Sequence, residues 1–243
     1  MVGLVISAVS GILLSGAYEP IGQWWLAPIA LAAHMYAMTL TERKVLASFL
    51  FALTLNAIVL HWSSTFVGSV PWLILAVGLS LFYLPLALVS RWGIASYPFL
   101  FIVLEEIRNR FPFGGFGWVR IAYTQADAPY SKIAVIGGAT ALSAIVLLIA
   151  LIILYAFQKR FSALHFAPFI LLFIPINLDN VGVSKVLLIQ GDVPQMGLDF
   201  NSRAKAVFNN YFEATQKELA KDSDVDFVLW PENSVDVDPF QNV

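Results

Sequence analysis

A carboxylate placed directly behind a short apolar strand is a position where an enzyme can keep a general base. Leu229-Trp230-Pro231-Glu232 has that form. Desolvation at a strand end beside an indole raises a carboxyl group's affinity for protons toward the range a base needs. The expectation is therefore a partly desolvated Glu232, and the bland alternative is a turn residue capping the next element. Glu105, Glu106, Arg108 and Arg110 form a second group, at the end of an apolar segment. Ionisable groups at membrane depth are costly and mark functional sites by default. Glu105 and Arg108 stand i,i+3, and Glu106 and Arg110 stand i,i+4, so each carboxylate can be neutralised along one helix face. The alternative is a structural ion pair.

Phe113-Gly114-Gly115-Phe116-Gly117-Trp118 follows at once. Its glycines permit tight backbone folding, which is tolerated at membrane depth where it lines a cavity. Its aromatics suit the lipid headgroup zone. Phe116 and Trp118, with Glu105 and Arg108, are candidate substrate-binding residues on a lipid-facing loop, and a plain interfacial anchor is the competing reading. His34, His61 and His165 are isolated on separate segments and read as packed residues rather than ligands. Asp236 and Asp238 lack the glycine and distal glutamate of a calcium loop. The chain has no cysteine, so thiolate chemistry within it is excluded, and a zinc site would need His and carboxylates. No metal and no cofactor are expected.

These residues need elements to hold them. Hydrophobic residues make up 59% of the 243 and charged residues 12%, against about 45–50% and about 25% in soluble domains. Mean hydropathy is +0.77. No charge occurs between Val45 and Ser90 or between Ile133 and Gln158, and such runs read as membrane helices. Seven segments are expected, at about 2–16, 22–40, 45–62, 71–90, 93–109, 132–157 and 162–178. Val2 to Leu14 has the apolar run of a signal peptide but no basic flank, so it reads as the first helix.

Arg43 with Lys44, Arg91, and Lys159 with Arg160 fall in alternate short loops, which places those loops and the N-terminus in the cytoplasm. Seven spans then put residues 180–243 outside, on the outer face of a bacterial inner membrane. Arg108, Arg110, Arg120 and Lys132 run against this bias and need another reason to be there. No basic stripe suits nucleic acid. Residues 183–243 are acidic and read as strand, helix, strand: Val183 to Ile189, Asn201 to Lys221 and Val225 to Trp230. Ala204, Phe208, Tyr211, Thr215 and Leu219 make the buried stripe, and Asn201 or Ser202 can cap the helix. Such a unit is parallel, and its active edge lies at the carboxyl ends of the strands, where Gln190-Gly191-Asp192 and Glu232 fall. Two strands do not make a stable sheet, so this is the opening of a larger α/β domain.

Several motifs together resemble one family. Glu105-x-x-Arg108, Gly115-Phe116-x-Trp118, Tyr123-x-Gln125-x-Asp127-x-Pro129 and Gly137-Gly138 are similar to the signature of bacterial apolipoprotein N-acyltransferase around its fifth span. Gln190-Gly191-Asp192-Val193-Pro194-Gln195 and Trp230-Pro231-Glu232 resemble the first strand and the catalytic-glutamate motif of its nitrilase-like domain. The runs at 197–201 and 232–239 are most similar to actinobacterial members. The resemblance implies a polytopic α-helical membrane domain over 1–179 and the start of an extracytoplasmic α/β nitrilase-like domain over 183–243.

It also implies ping-pong acyl transfer. A cysteine thiolate takes a fatty acyl chain from a phospholipid donor and passes it to the N-terminal amine of a diacylated apolipoprotein. Glu232 matches the general base of the Glu-Lys-Cys triad. The family's Lys, Cys and final helix have no counterpart here, which implies a C-terminally truncated chain, inactive alone, whose missing half is supplied in trans or absent. The alternative is a non-catalytic membrane scaffold, for example for a polyprenyl-phosphate mannosyltransferase. A transporter would leave the α/β start and Glu232 without a purpose.

Overall fold

The computed structural model describes residues 1–160, 182–191, 206–232, 234 and 235. The chain divides into two compact units, Met1–Ile176 and Asn177–Val243, and each is described by itself.

The first unit is helical. α1 (Val2–Ser15) packs against α2 (Leu26–Leu40) and α3 (Lys44–Val59). Small residues make this possible: Gly3, Ser7 and Gly11 are buried on α1, and a Cβ on Gly11 would stand 2.1 Å from the Phe51 carbonyl oxygen. Close backbone approach of this kind drives helix association where lipid supplies no hydrophobic force. Thr54 Oγ1 donates across the contact to the Ala8 carbonyl at 2.9 Å. A 3-10 turn (His61–Ser63) and α4 (Ser64–Val67) follow α3, and Gly68, at φ 86°, turns the chain into α5 (Ser69–Leu81). A 3-10 run (Leu84–Leu88) continues into α6 (Val89–Trp92). Gly93 and a further 3-10 turn (Ile94–Ser96) lead to α7 (Tyr97–Arg108). Short 3-10 turns at Ile121–Gln125 and Ser131–Ile133 precede α8 (Ala134–Phe157). Aliphatic and aromatic side chains of α2, α3, α7 and α8 form the core.

Helices occupy six of the seven expected segments, and the seventh, 162–178, lies outside the described residues. Their lengths carry a smaller number of spans. Ser69–Trp92 and Ser131–Phe157 are long and apolar enough to cross a membrane. Lys44–Val59 with His61–Val67 makes a third if its 50° bend lies within one span. α1 and α2 have 14 and 15 residues, roughly 21–23 Å against a hydrocarbon core of about 30 Å. The shortening is local chemistry. The turn from Gly16 to Trp25, with Gly22 at φ 65°, takes residues out of both helices.

The second unit is a parallel pair. β1 (Val186–Leu188) runs beside β2 (Phe227–Leu229), with Val186 opposite Phe227 and Leu188 opposite Leu229. The helix between them is α9 (Ala206–Leu219). The expected strand–helix–strand order is present, with strands of three residues rather than six or seven. Phe227-Val228-Leu229 has β1 on one side. Residues 192–205, 233 and 236–243 lie outside the described set. So do Asp192 to Gln195, the caps Asn201 and Ser202, Ala204, Asp236, Asp238 and, in the first unit, His165.

Candidate functional site

The charged end of α7 is a buried clamp on the loop that follows it. Glu105 and Arg108 are each 1% exposed. One oxygen of Glu105 accepts the Ile121 backbone N–H at 2.9 Å, and the other accepts the Ser143 hydroxyl at 2.8 Å. Arg108 donates through Nη1 to Tyr83 Oη at 2.6 Å and through Nη2 to the Val119 carbonyl. Its carbonyl in turn accepts the Phe116 N–H at 2.8 Å. Three groups on one helix end thus hold residues 116, 119 and 121 of a single loop.

The expected i,i+3 pair of Glu105 with Arg108 is not made. Arg108 reaches Tyr83 and the loop backbone, while Glu105 faces α8, where Arg120 Nε approaches it at 3.7 Å. The i,i+4 pair of Glu106 with Arg110 is made, and Arg120 binds the other Glu106 oxygen, which also accepts Thr140 Oγ1 at 2.5 Å. Arg108, Arg110 and Arg120, three of the four residues that ran against the topology bias, therefore have local partners here.

α8 receives the carboxylates where it restarts after a break. Gly137 and Gly138 leave helical geometry, Gly138 at φ 63°, ψ −158°, a region open essentially to glycine alone. Thr140 and Ser143 lie in the first turns of the resumed helix and bind Glu106 and Glu105 respectively. The positive end of a helix favours negative charge, so the break places it against the acidic pair. Sequence reasoning missed Tyr83, Thr140 and Ser143. The available signal was two hydroxyls three apart in an otherwise apolar stretch.

The clamped loop presents aromatics. Trp118 is 56% exposed and stacks on Trp62 with ring centroids 5.1 Å apart and planes at 29°. Phe116 leans on Trp118 at 5.3 Å, and Phe66 on Trp62 at 6.1 Å. The row joins two separate turns of the chain, 61–67 and 113–118. Gly115, at φ 88°, is required: a Cβ there would stand 2.1 Å from the Asn109 carbonyl carbon. Of the four candidate substrate-binding residues, Phe116 and Trp118 have surface to offer, and Glu105 and Arg108 are buried and bonded to protein groups.

Glu232 belongs to the second unit. It is exposed in the turn after β2, so the desolvation expected from Trp230 is not present. The indole turns onto α9 instead, against Phe208 at 5.7 Å and Tyr211 at 5.6 Å, and its Nε1 donates to Thr215 Oγ1 at 2.9 Å. These contacts confirm the Phe208–Tyr211–Thr215 stripe. Because the strands are parallel, Gln190-Gly191 and Glu232 share the carboxyl edge, as expected. Gly191 lets that edge meet α9 closely, since a Cβ would come within 2.7 Å of the Tyr211 ring. At the opposite edge, Lys185 binds Asp222 at 3.1 Å and Asp224 at 3.2 Å. Its hydrogen bond to Asp222 raises the lysine pKa and lowers that of Asp222. Among the described residues, no group of three His, Asp or Glu could hold a metal ion.

The family model for the apolipoprotein N-acyltransferase N-terminal domain matches residues 10–152, the stretch that contains the clamp, the aromatic row and the broken helix. Among curated proteins, the apolipoprotein N-acyltransferase of Mycolicibacterium smegmatis is 33% identical over 96% of this chain and 46% of its own length. That of Haemophilus ducreyi is 33% identical over 62% of this chain and 33% of its own, and that of Aquifex aeolicus 26% over 60% and 34%. The chain spans less than half the length of these relatives. It belongs to the apolipoprotein N-acyltransferase N-terminal domain family.

Proposed function

We propose that this chain carries the membrane domain, over 1–179, and the opening of the nitrilase-like catalytic domain, over 183–243, of a lipoprotein N-acyltransferase. The observation that carries the reading is the family match over residues 10–152, joined to a parallel strand pair with Glu232 at its carboxyl edge. The membrane domain sits in the bacterial inner membrane in seven spans, with the N-terminus cytoplasmic and 180–243 outside. The acyl donor is a phospholipid and the acceptor a diacylated apolipoprotein.

In this reading Glu232 takes the proton of a cysteine thiol, whose sulfur attacks the phospholipid ester. The lysophospholipid oxygen leaves with a proton, and the thioester then yields its acyl group to the lipoprotein amine as the thiolate returns. The 243 residues contain no cysteine, so that nucleophile, with the Lys that supports the oxyanion, comes from sequence outside them. Phe116 and Trp118 contact acyl chains, and Glu105 and Arg108 hold their loop. The names of the relatives favour this over a mannosyltransferase scaffold.

The test joins this chain in frame to the remaining C-terminal portion of the M. smegmatis relative. Transfer of labelled acyl groups from phospholipid to a diacylated lipopeptide is then measured. The 243-residue chain alone is expected to transfer nothing. The fusion is expected to transfer, and Glu232→Gln to slow it by about 10²–10⁴-fold, the usual contribution of a general base. A fusion whose rate ignores Glu232→Gln overturns the assignment.

A further inference from the structure

The interior of the helical unit holds polar atoms that its own side chains do not satisfy. Tyr18 Oη, Tyr97 Oη, both ring nitrogens of His34 and Arg108 Nε are buried without a hydrogen-bond partner among the described residues. His34 and Tyr97 are 0% exposed. A neutral imidazole always carries one donor and one acceptor, and a tyrosine hydroxyl is both. Buried polar groups in folded proteins are almost always paired, with water where protein groups fall short.

His34 stands edge-on to Phe51 at 4.1 Å and its ring centroid is 5.6 Å from that of Tyr97, near enough for one small molecule to lie against both rings.

We infer that ordered water is bound between His34 and Tyr97, shared by the imidazole and the Tyr97 hydroxyl. Water suits these atoms because it donates and accepts at once, and internal waters characteristically make two to four bonds to such groups. The site offers both roles, an imidazole beside a hydroxyl. The inference is independent of the acyltransferase reading.

Pulsed X-ray radiolysis of the full chain in detergent tests this, because bound water generates hydroxyl radicals where it sits. Tyr97 is expected to be labelled at a rate approaching that of exposed Tyr123. Met35 and Met38, equally buried but without orphaned polar atoms, are expected to stay unlabelled despite thioether reactivity that exceeds that of a phenol. Tyr97 as silent as Met35 would overturn the site. Substitution then gives a sign. In a dry site Tyr97→Phe removes an unsatisfied hydroxyl and raises the unfolding midpoint by several degrees. In a hydrated site it removes a ligand of the water, and the midpoint is expected to stay or fall. A rise overturns the site.

Discussion

Glu105 and Glu232 both stand at the end of a secondary-structure element, and the protein treats them in opposite ways. Glu105 is buried, with a backbone amide on one oxygen and a hydroxyl on the other. Glu232 is exposed at a strand edge, and its neighbouring indole is turned away onto α9. A carboxylate bound at both oxygens fixes the groups around it and has little capacity left for a substrate. An exposed one at the edge of a parallel sheet can meet a group brought to it. Burial and two bound oxygens thus mark Glu105 as a holder of the aromatic loop, while the chemistry at Glu232 belongs to the proposed function.

The comparison breaks first at Arg108. Arg108→Leu leaves the Tyr83 hydroxyl and the Val119 carbonyl without their donor. The expected loss is about 1–3 kcal/mol for each buried group left unsatisfied, read as the unfolding midpoint in detergent. Glu232→Gln is expected to leave that midpoint unmoved. Gly138→Ala comes next. A Cβ there meets nothing within 4 Å, so its cost is purely that of the backbone angles, roughly 1–3 kcal/mol. In the second unit, Trp230→Phe keeps the aromatic packing and loses the bond to Thr215. A net hydrogen bond is worth about 1 kcal/mol, so amides of β1 and β2 are expected to exchange about five-fold faster.

The smallest effect belongs to Lys185 and Asp222. Asp222 has a lowered folded pKa, so its contribution is present above its unfolded pKa and fades as pH falls through the folded value. Lys185 has a raised pKa, so its contribution is present below its unfolded value and fades as pH rises through the folded one. Both therefore operate at neutral pH. Because the pair is exposed, amide exchange at β1 is expected to change little in Asp222→Asn, and 1 M salt to erase the difference.

The helical character of the first unit and the order of the second were legible because they rest on local pattern. Apolar runs without charge gave the helices, and Phe208, Tyr211 and Thr215 gave the buried face of α9. The number of spans was less legible, since Gly22 and the turn around it consume residues that hydropathy counts as helix. Pairing at the end of α7 was illegible for a different reason. Spacing offers Arg108 to Glu105, but the choice among Glu105, Tyr83 and the Val119 carbonyl depends on what the turn after α5 and the loop bring to it. Trp230 misled in the same way: an indole beside a carboxylate in sequence spends its N–H on a helix.

The division of labour between the two carboxylates is tested most directly by amide hydrogen exchange at Ile121, compared between Glu105→Leu and Glu232→Gln in the full chain. Removing the acceptor of a buried amide costs about 1–3 kcal/mol. The account predicts that Ile121 and the adjoining loop exchange about ten-fold faster or more in Glu105→Leu and at the unaltered rate in Glu232→Gln. An Ile121 amide that stays protected without Glu105, or loses protection without Glu232, would contradict it.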